Sequence, residues 1–224
     1  MNILQELHIL ADADYRLFQS RLMPGSDPDR ILGVRTPDLR NLAKLLRNDP
    51  AKEDFFRDLP HIFYEENNLH GLLINALPDF DGAVSALDTF LPFVDNWATC
   101  DLLRPKAFQN RQSELLPHIC RWLKSDHPYT IRFAIEMLMV HCLNEKFDPE
   151  HLLWVTEKSF HDHYYVKMMV AWYLATALIT QYERVCDLLK SDRLDQWTRR
   201  KAIQKACESF RISPEQKKQL KSLR

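Results

Sequence analysis

The stretch DHYYVKMMVAWYLATALI, residues 162–179, decides the fold class. After its first few residues, apolar side chains fall on almost every face of a 3.6-residue helical period. A helix that is apolar nearly all round is sandwiched between neighbouring elements, because no face of it suits solvent. The stretch therefore predicts a buried helix with other helices on both sides.

The same arrangement recurs along the chain at the spacing of helix-pair repeats. Its units begin at Asp95 (DNWATCD), Asp126 (DHPYTIRFA), Asp162 (DHYYVKMMVA) and Asp195 (DQWTRRKA), separated by 31, 36 and 33 residues. In each unit an aromatic residue follows the aspartate by two or three positions, and we expect the aspartate to cap the helix. A period of this length predicts an all-α fold, an α-solenoid whose Asp-headed helices line one concave groove.

Other segments also have helical spacing, and an earlier unit is expected near Glu66. In TPDLRNLAKLLRN, residues 36–48, Thr36 is expected to cap the helix and Pro37 to occupy its first turn. Further helical runs are SELLPHICRWLKSD (113–126), YTIRFAIEMLMVHCL (129–143) and TRRKAIQKACESF (198–210). No linker or low-complexity segment interrupts them, so a single domain is expected over residues 1–224.

The composition excludes several classes of protein. Four glycines cannot supply a Gly-rich phosphate loop, and no apolar run approaches the roughly 20 residues of a membrane span. Five dispersed cysteines and a start without a signal-peptide pattern indicate reduced thiols and a cytoplasmic protein. The net charge is −1, yet residues 197–224 hold nine basic and two acidic residues, so this end is a candidate phosphate-facing surface or simply a solvated helix.

The Asp-headed helices carry polar and aromatic residues at spacings that place them on shared faces. Trp97 and Asp101 lie four apart in the first helix, which stacks an indole above a carboxylate. The later helices offer Tyr129, Arg132, Tyr165, Lys167, Trp172, Trp197, Arg199, Arg200, Lys201 and Lys205. Taken singly, each has an ordinary structural explanation: tryptophan often packs in a core.

Two charged candidates have equally ordinary explanations. Asp101 could pair with Arg104, and Arg132 could pair with Glu136 one turn later. The HDH run at 161–163 lacks further ligands at metal-binding spacing, so neither a metal nor a cofactor is expected.

These segments together resemble the AlkD-like DNA alkylation repair family, which is built from HEAT-like helical-hairpin repeats. The resemblance runs almost end to end, through ILGVRTPDLRNLAK (31–44), YEENNLHGLLI (64–74), FVDNWATCD (93–101), SDHPYTIRFAIEML (125–138), YYVKMMVAWYLATAL (164–178) and WTRRKAIQKACESFRI (197–212). Its most specific feature is W-x-T-x-D, followed by an arginine about 35 residues later and a tryptophan in the next repeat.

The resemblance implies a monofunctional DNA glycosylase that releases N3- and N7-alkylated purines from duplex DNA. It assigns the catalytic carboxylate to Asp101, a deoxyribose contact to Trp97, the second aromatic of the cleft to Trp172 and a phosphate contact to Arg132. The remaining aromatic and basic residues of the later helices are expected to contact DNA, and the protein is expected to be a monomer without a membrane partner.

Two alternatives remain open at this stage. Some members of this superfamily bind branched or damaged DNA without excising a base. A helical solenoid is also a common protein-interaction scaffold.

Overall fold

The computed structural model describes residues 1–145 and 147–223. These residues form fourteen α-helices and four 3-10 turns, and none of them lies in a β-strand, which confirms the expected all-α fold class. The chain divides into two compact units, Met1–Arg111 and Gln112–Arg224, here called the N-terminal and C-terminal units. The single domain expected from the sequence and its HEAT-like repeats stay predictions.

The N-terminal unit contains seven α-helices and three 3-10 turns. The helices are α1 (Ile3–Ile9), α2 (Ala13–Leu22), α3 (Thr36–Leu46), α4 (Ala51–Arg57), α5 (Tyr64–Asn75), α6 (Phe80–Phe90) and α7 (Trp97–Leu102), and the turns are Pro28–Arg30, Leu91–Phe93 and Lys106–Phe108. Helix α5 packs against both α3 and α7. Leu39, Leu42, Leu46, Leu69 and Leu73 are buried in the core between α3 and α5.

A buried carboxylate fixes the segment that leads into α3. Glu65, on α5, accepts hydrogen bonds from the backbone N–H groups of Leu32, Gly33 and Val34, at 2.8, 2.7 and 3.3 Å. Burial raises the pKa of Glu65, and the three hydrogen bonds oppose that rise. The carboxylate thus ties the chain before α3 to the first turn of α5.

The C-terminal unit contains α8 (Gln112–Leu123), α9 (Pro128–His141), α10 (Glu150–Glu157), α11 (Tyr164–Ala177), α12 (Tyr182–Lys190), α13 (Gln196–Glu208) and α14 (Pro214–Lys221), with a 3-10 turn at Lys158–Phe160. Helix α11 lies between α9 and α13, as its apolar circumference predicts. Three of the four Asp-headed helices are therefore side by side in this unit, and the fourth, α7, packs on α5 in the N-terminal unit. No helix among the described residues is long and apolar enough to cross a membrane.

The expected aspartate caps are wrong for three of the four units. Only Asp195 caps its helix, by accepting from the backbone N–H of Thr198 at 3.0 Å. The residue after each of the other aspartates occupies the cap position, and these residues are Asn96, His127 and His163. Asp95, Asp126 and Asp162 thus lie one residue too early to reach the first free N–H groups.

The expected cap of α3 is also wrong, although its first turn is as predicted. Thr36 is already inside the helix and Arg35 occupies the cap position without a side-chain hydrogen bond. Pro37 does lie in the first turn, where a missing N–H costs nothing.

Candidate functional site

Helix α7 carries Trp97 and Asp101 and is only six residues long, so tertiary contacts must hold it. Its cap residue Asn96 accepts from the backbone N–H of Thr99 at 2.8 Å. The hydroxyl of Thr99 donates to Asn68 on α5, also at 2.8 Å, and all three residues are buried. This polar network fixes the start of α7 on α5 and therefore sets the direction of the Trp97 and Asp101 side chains.

The end of α7 is held by a close approach of the Leu103 side chain to the backbone of α5. Gly71 on α5 leaves room for Leu103, since a Cβ added at Gly71 would lie 2.9 Å from Leu103 Cδ2. One turn further along α5, Asn75 donates to the carbonyl of Leu102 at 2.8 Å and accepts from the backbone N–H of Arg104. Asp101 is thus carried on a backbone anchored on both sides of it.

Asp101 lines a cavity of about 580 Å³ within the N-terminal unit. It is half-buried there and is the one carboxylate among the lining residues. Five basic residues share the wall, and they are Arg40, Lys44, Arg47, Arg104 and Lys106. The cavity therefore combines one carboxylate with five basic residues. Such a lining suits a ligand that is anionic overall and that places a positively polarised group beside Asp101.

Trp97 is half-buried, and its indole N–H donates to the carbonyl of Leu22 at the end of α2, at 3.4 Å. The polar edge of the indole is therefore used within the protein. The part of the ring that is still exposed could contact a ligand.

In the C-terminal unit, Arg132 joins α9 to the start of α11. Its side chain is buried, one guanidinium N–H donates to the carbonyl of Tyr165 at 2.8 Å, and its Cζ lies 6.0 Å from the centre of the Tyr165 ring. The buried Tyr129 ring lies 6.1 Å from the same tyrosine. The structure thus brings these three predicted residues together, with Arg132 already engaged by the backbone.

Trp197 is the centre of a second cluster, in which two ammonium groups lie over one indole. The Nζ atoms of Lys167 and Lys201 are 5.4 and 5.8 Å from the Trp197 ring, within the range of a cation–π contact. Tyr164, which the sequence reasoning missed, contacts the same ring edge-on at 5.4 Å. Trp197 therefore holds two lysines close to its ring.

Lys167 is held in this cluster by Asp195 as well, at 3.1 Å. Burial alone would raise the pKa of Asp195, but the hydrogen bonds from Thr198 and Lys167 lower it overall. The carboxylate that caps α13 thus also fixes the position of a cation predicted to bind DNA.

The other predicted residues of α11 and α13 differ in how accessible they are. Trp172 is 36% exposed, and the Nζ of Lys205 lies 6.0 Å from its ring. Arg200 is exposed and lines an open surface cavity with Trp197 and Lys201. Arg199 instead donates to the carbonyl of Ser191, so its guanidinium is turned towards the loop before α13.

The predicted site residues are assembled in two sets, one in each unit. Trp97 and Asp101 belong to the N-terminal unit, and all the others belong to the C-terminal unit. Their convergence in one groove stays a prediction. The basic residues around Asp101 were missed, although Arg40, Lys44 and Arg47 follow the helical spacing i, i+4, i+7 on a face of α3 different from that of its buried leucines.

Comparison with protein-family models gives a match to the DNA alkylation repair enzyme family over residues 3–206. The chain belongs to that family. The matched region contains α7, α9, α11 and all but the last two residues of α13, and so includes every predicted site residue. The match confirms the family resemblance found in the sequence. Comparison with curated proteins gives no match. Membership places the protein in DNA alkylation repair, with DNA as the partner that the family implies.

Proposed function

We propose that the protein is a monofunctional DNA glycosylase that hydrolyses the N-glycosidic bond of N3- and N7-alkylated purines in duplex DNA. The observation that carries the proposal is the position of Asp101, the one carboxylate lining a cavity with five basic residues. An anionic strand is attracted to such a wall, and a carboxylate within it meets the sugar of a bound nucleotide.

The proposed chemistry needs no general acid. An N-alkylated purine already carries a positive charge, so it leaves as a neutral base when the bond between C1′ and the purine nitrogen breaks with both electrons going to the base. The sugar left behind has oxocarbenium character, as in the hydrolysis of other glycosides. Asp101 stabilises that cation electrostatically and accepts a proton from the attacking water.

Trp97 and Trp172 have a supporting role in this proposal. An indole face stabilises a nearby cation by about 0.5–2 kcal/mol, depending on how much water is excluded. Both rings keep some exposure, so each has surface for such a contact. A contact among Arg132, Tyr129 and Tyr165 joins α9 to the start of α11, the helix that carries Lys167 and Trp172.

The test compares wild type, Asp101→Asn and the matched control Asp81→Asn, which changes an exposed carboxylate on α6 of the same unit. Single-turnover release of 7-methylguanine from a duplex is measured beside binding of the same duplex. We expect Asp101→Asn to release the base at least about 100-fold more slowly, with binding retained, because one electrostatic stabiliser is worth about that much. Asp81→Asn should behave as wild type.

Two outcomes support the other readings of the sequence. Salt-dependent duplex binding without base release by wild type would identify a non-catalytic protein that binds damaged or branched DNA. Absence of any salt-dependent DNA binding would leave a protein-interaction scaffold.

A further inference from the structure

The outer face of α3 carries a row of cations that no sequence pattern assigned to a function. Arg40, Lys44 and Arg47 are all exposed and line the cavity that contains Asp101. Seven residues of helix span about 10 Å, and their i, i+4, i+7 spacing keeps the three side chains on one face. The opposite face of α3 is buried through Leu39 and Leu42, so the row cannot turn inward.

These cations differ from other arginines of the same unit in having no acidic partner. Within the described residues, no carboxylate lies within 4.0 Å of the charged groups of Arg40, Lys44 or Arg47. By contrast, Arg16, Arg35 and Arg57 pair with Asp29, Asp12 and Asp54 at 2.8, 2.8 and 2.5 Å. The three cations of this row repel one another, so an anion bound beside them would lower their electrostatic energy.

The shape of the cavity narrows the class of anion. Besides its basic residues, the cavity is lined by the apolar residues Ala43, Leu72, Ala76 and Leu102, and its volume is about 580 Å³. A single inorganic anion would leave most of that space and the apolar surface uncovered. A sugar-phosphate strand has both a row of anions and less polar sugar faces, and Asp101 would repel a phosphate but accept a sugar beside it.

We propose that this cavity is a phosphate-binding cleft for one DNA strand, in which Arg40, Lys44 and Arg47 hold the phosphates next to the nucleotide whose sugar faces Asp101. Successive phosphates of one strand rise by about 3.4 Å along the duplex axis and lie further apart along the backbone itself, so a row of about 10 Å matches about two of them. The three basic residues act as positioning residues, since they set where the strand lies relative to Asp101. The inference rests on the proposed function for the identity of the strand as DNA.

The experiment compares two charge-matched double variants of the full chain. Arg40→Gln/Lys44→Gln removes two cations of the row, and Lys52→Gln/Arg57→Gln removes one lysine and one arginine on α4 that pair with acids. Binding to a 7-methylguanine duplex is measured by fluorescence anisotropy over a range of salt concentrations. Each phosphate contact contributes about 0.9 to the slope of log K against log salt.

If the row binds phosphate, the first variant loses about 1.8 from that slope and binds about 60-fold more weakly at about 0.1 M salt. The α4 variant should stay within about twofold of wild type, because its two cations already have partners. Equal losses in both variants, or no loss in either, would overturn the inference.

Base release distinguishes this inference from the proposed function. If the salt slope of DNA binding falls only in the α3 variant and wild type releases no base, the phosphate cleft is supported and the proposed glycosylase activity is refuted. If wild type releases the base and the α3 variant has the same salt slope as wild type, the glycosylase activity is supported and the phosphate cleft is refuted. Failure of wild type to bind DNA removes both.

Discussion

A buried pair of histidines makes folding of the N-terminal unit sensitive to acid. His61 Nε2 and His70 Nδ1 are 2.8 Å apart, so the N–H of one ring donates a hydrogen bond to the ring nitrogen of the other. This arrangement allows the pair to be neutral or to carry one positive charge, but not two. Phe55 stacks on His61 with centroids 4.4 Å apart, and Phe90 stacks on His70 at 4.2 Å. The rings are therefore enclosed by aromatic carbon, where a charge is poorly solvated.

Burial lowers the pKa of His61 to about 4 and that of His70, which also feels His61, to about 3. In the unfolded chain both have a pKa near 6.5. The unfolded state therefore takes up protons first as the pH falls, so the free energy of unfolding is highest above about pH 7.5 and decreases progressively as the pH falls through about 6.5. Each histidine costs about 0.8 kcal/mol at about pH 6 and about 2 kcal/mol at about pH 5, or about 4 kcal/mol for the pair.

The assay is urea unfolding, followed by circular dichroism, of wild type and of His61→Leu/His70→Phe. The variant replaces both titrating rings by apolar groups, so all other titrations cancel in the difference between the two proteins. We expect the free energy of unfolding of wild type, relative to the variant, to fall by about 4 kcal/mol between about pH 7.5 and about pH 5. Parallel stability curves over that range would refute the reasoning, and a difference already changing between about pH 7.5 and 9 would implicate another group.

Three further substitutions test close contacts. Gly71→Val forces a side chain against Leu103, so we expect a loss of about 1–3 kcal/mol in thermal unfolding and slower base release because α7 is displaced. Gly33→Ala should cost at least about 2 kcal/mol in the same measurement, since φ is +89° and the new Cβ would lie 2.3 Å from the Asp12 carbonyl. Trp197→Leu should weaken DNA binding by about three- to thirtyfold with little change in salt slope, because the lysines over the ring lose their support and keep their charge.

The helices could be predicted because their signal is local. The run at 129–143 and the run at 198–210 both correspond to helices, α9 (Pro128–His141) and α13 (Gln196–Glu208). Caps were less predictable because they depend on which residue last keeps an extended backbone. A shift of one residue moved the cap from Asp95 to Asn96, and the sequence holds a good capping residue at both positions.

The candidate site was predictable only in the parts that lie on one helix. Trp97 and Asp101 could be paired from their spacing, and the structure places both on α7. The support of α7 could not be predicted, because Asn68 and Gly71 lie about 30 residues earlier and look like ordinary helix residues. The basic wall was missed for the same reason, since α3 and α7 are brought together through α5.

The charges around Asp101 have opposite effects on the two steps of the proposed reaction. Five basic residues draw an anionic strand into the cavity, but the same positive charge opposes a sugar cation forming there. When the phosphates of the strand are bound, they neutralise the cations of α3. The negative charge of Asp101 then dominates the electric field at the sugar. In this arrangement the phosphates of the substrate neutralise the positive charge that would otherwise oppose the sugar cation. An isolated alkylated nucleoside has no phosphate, so we expect Asp101 to stabilise its sugar cation less effectively.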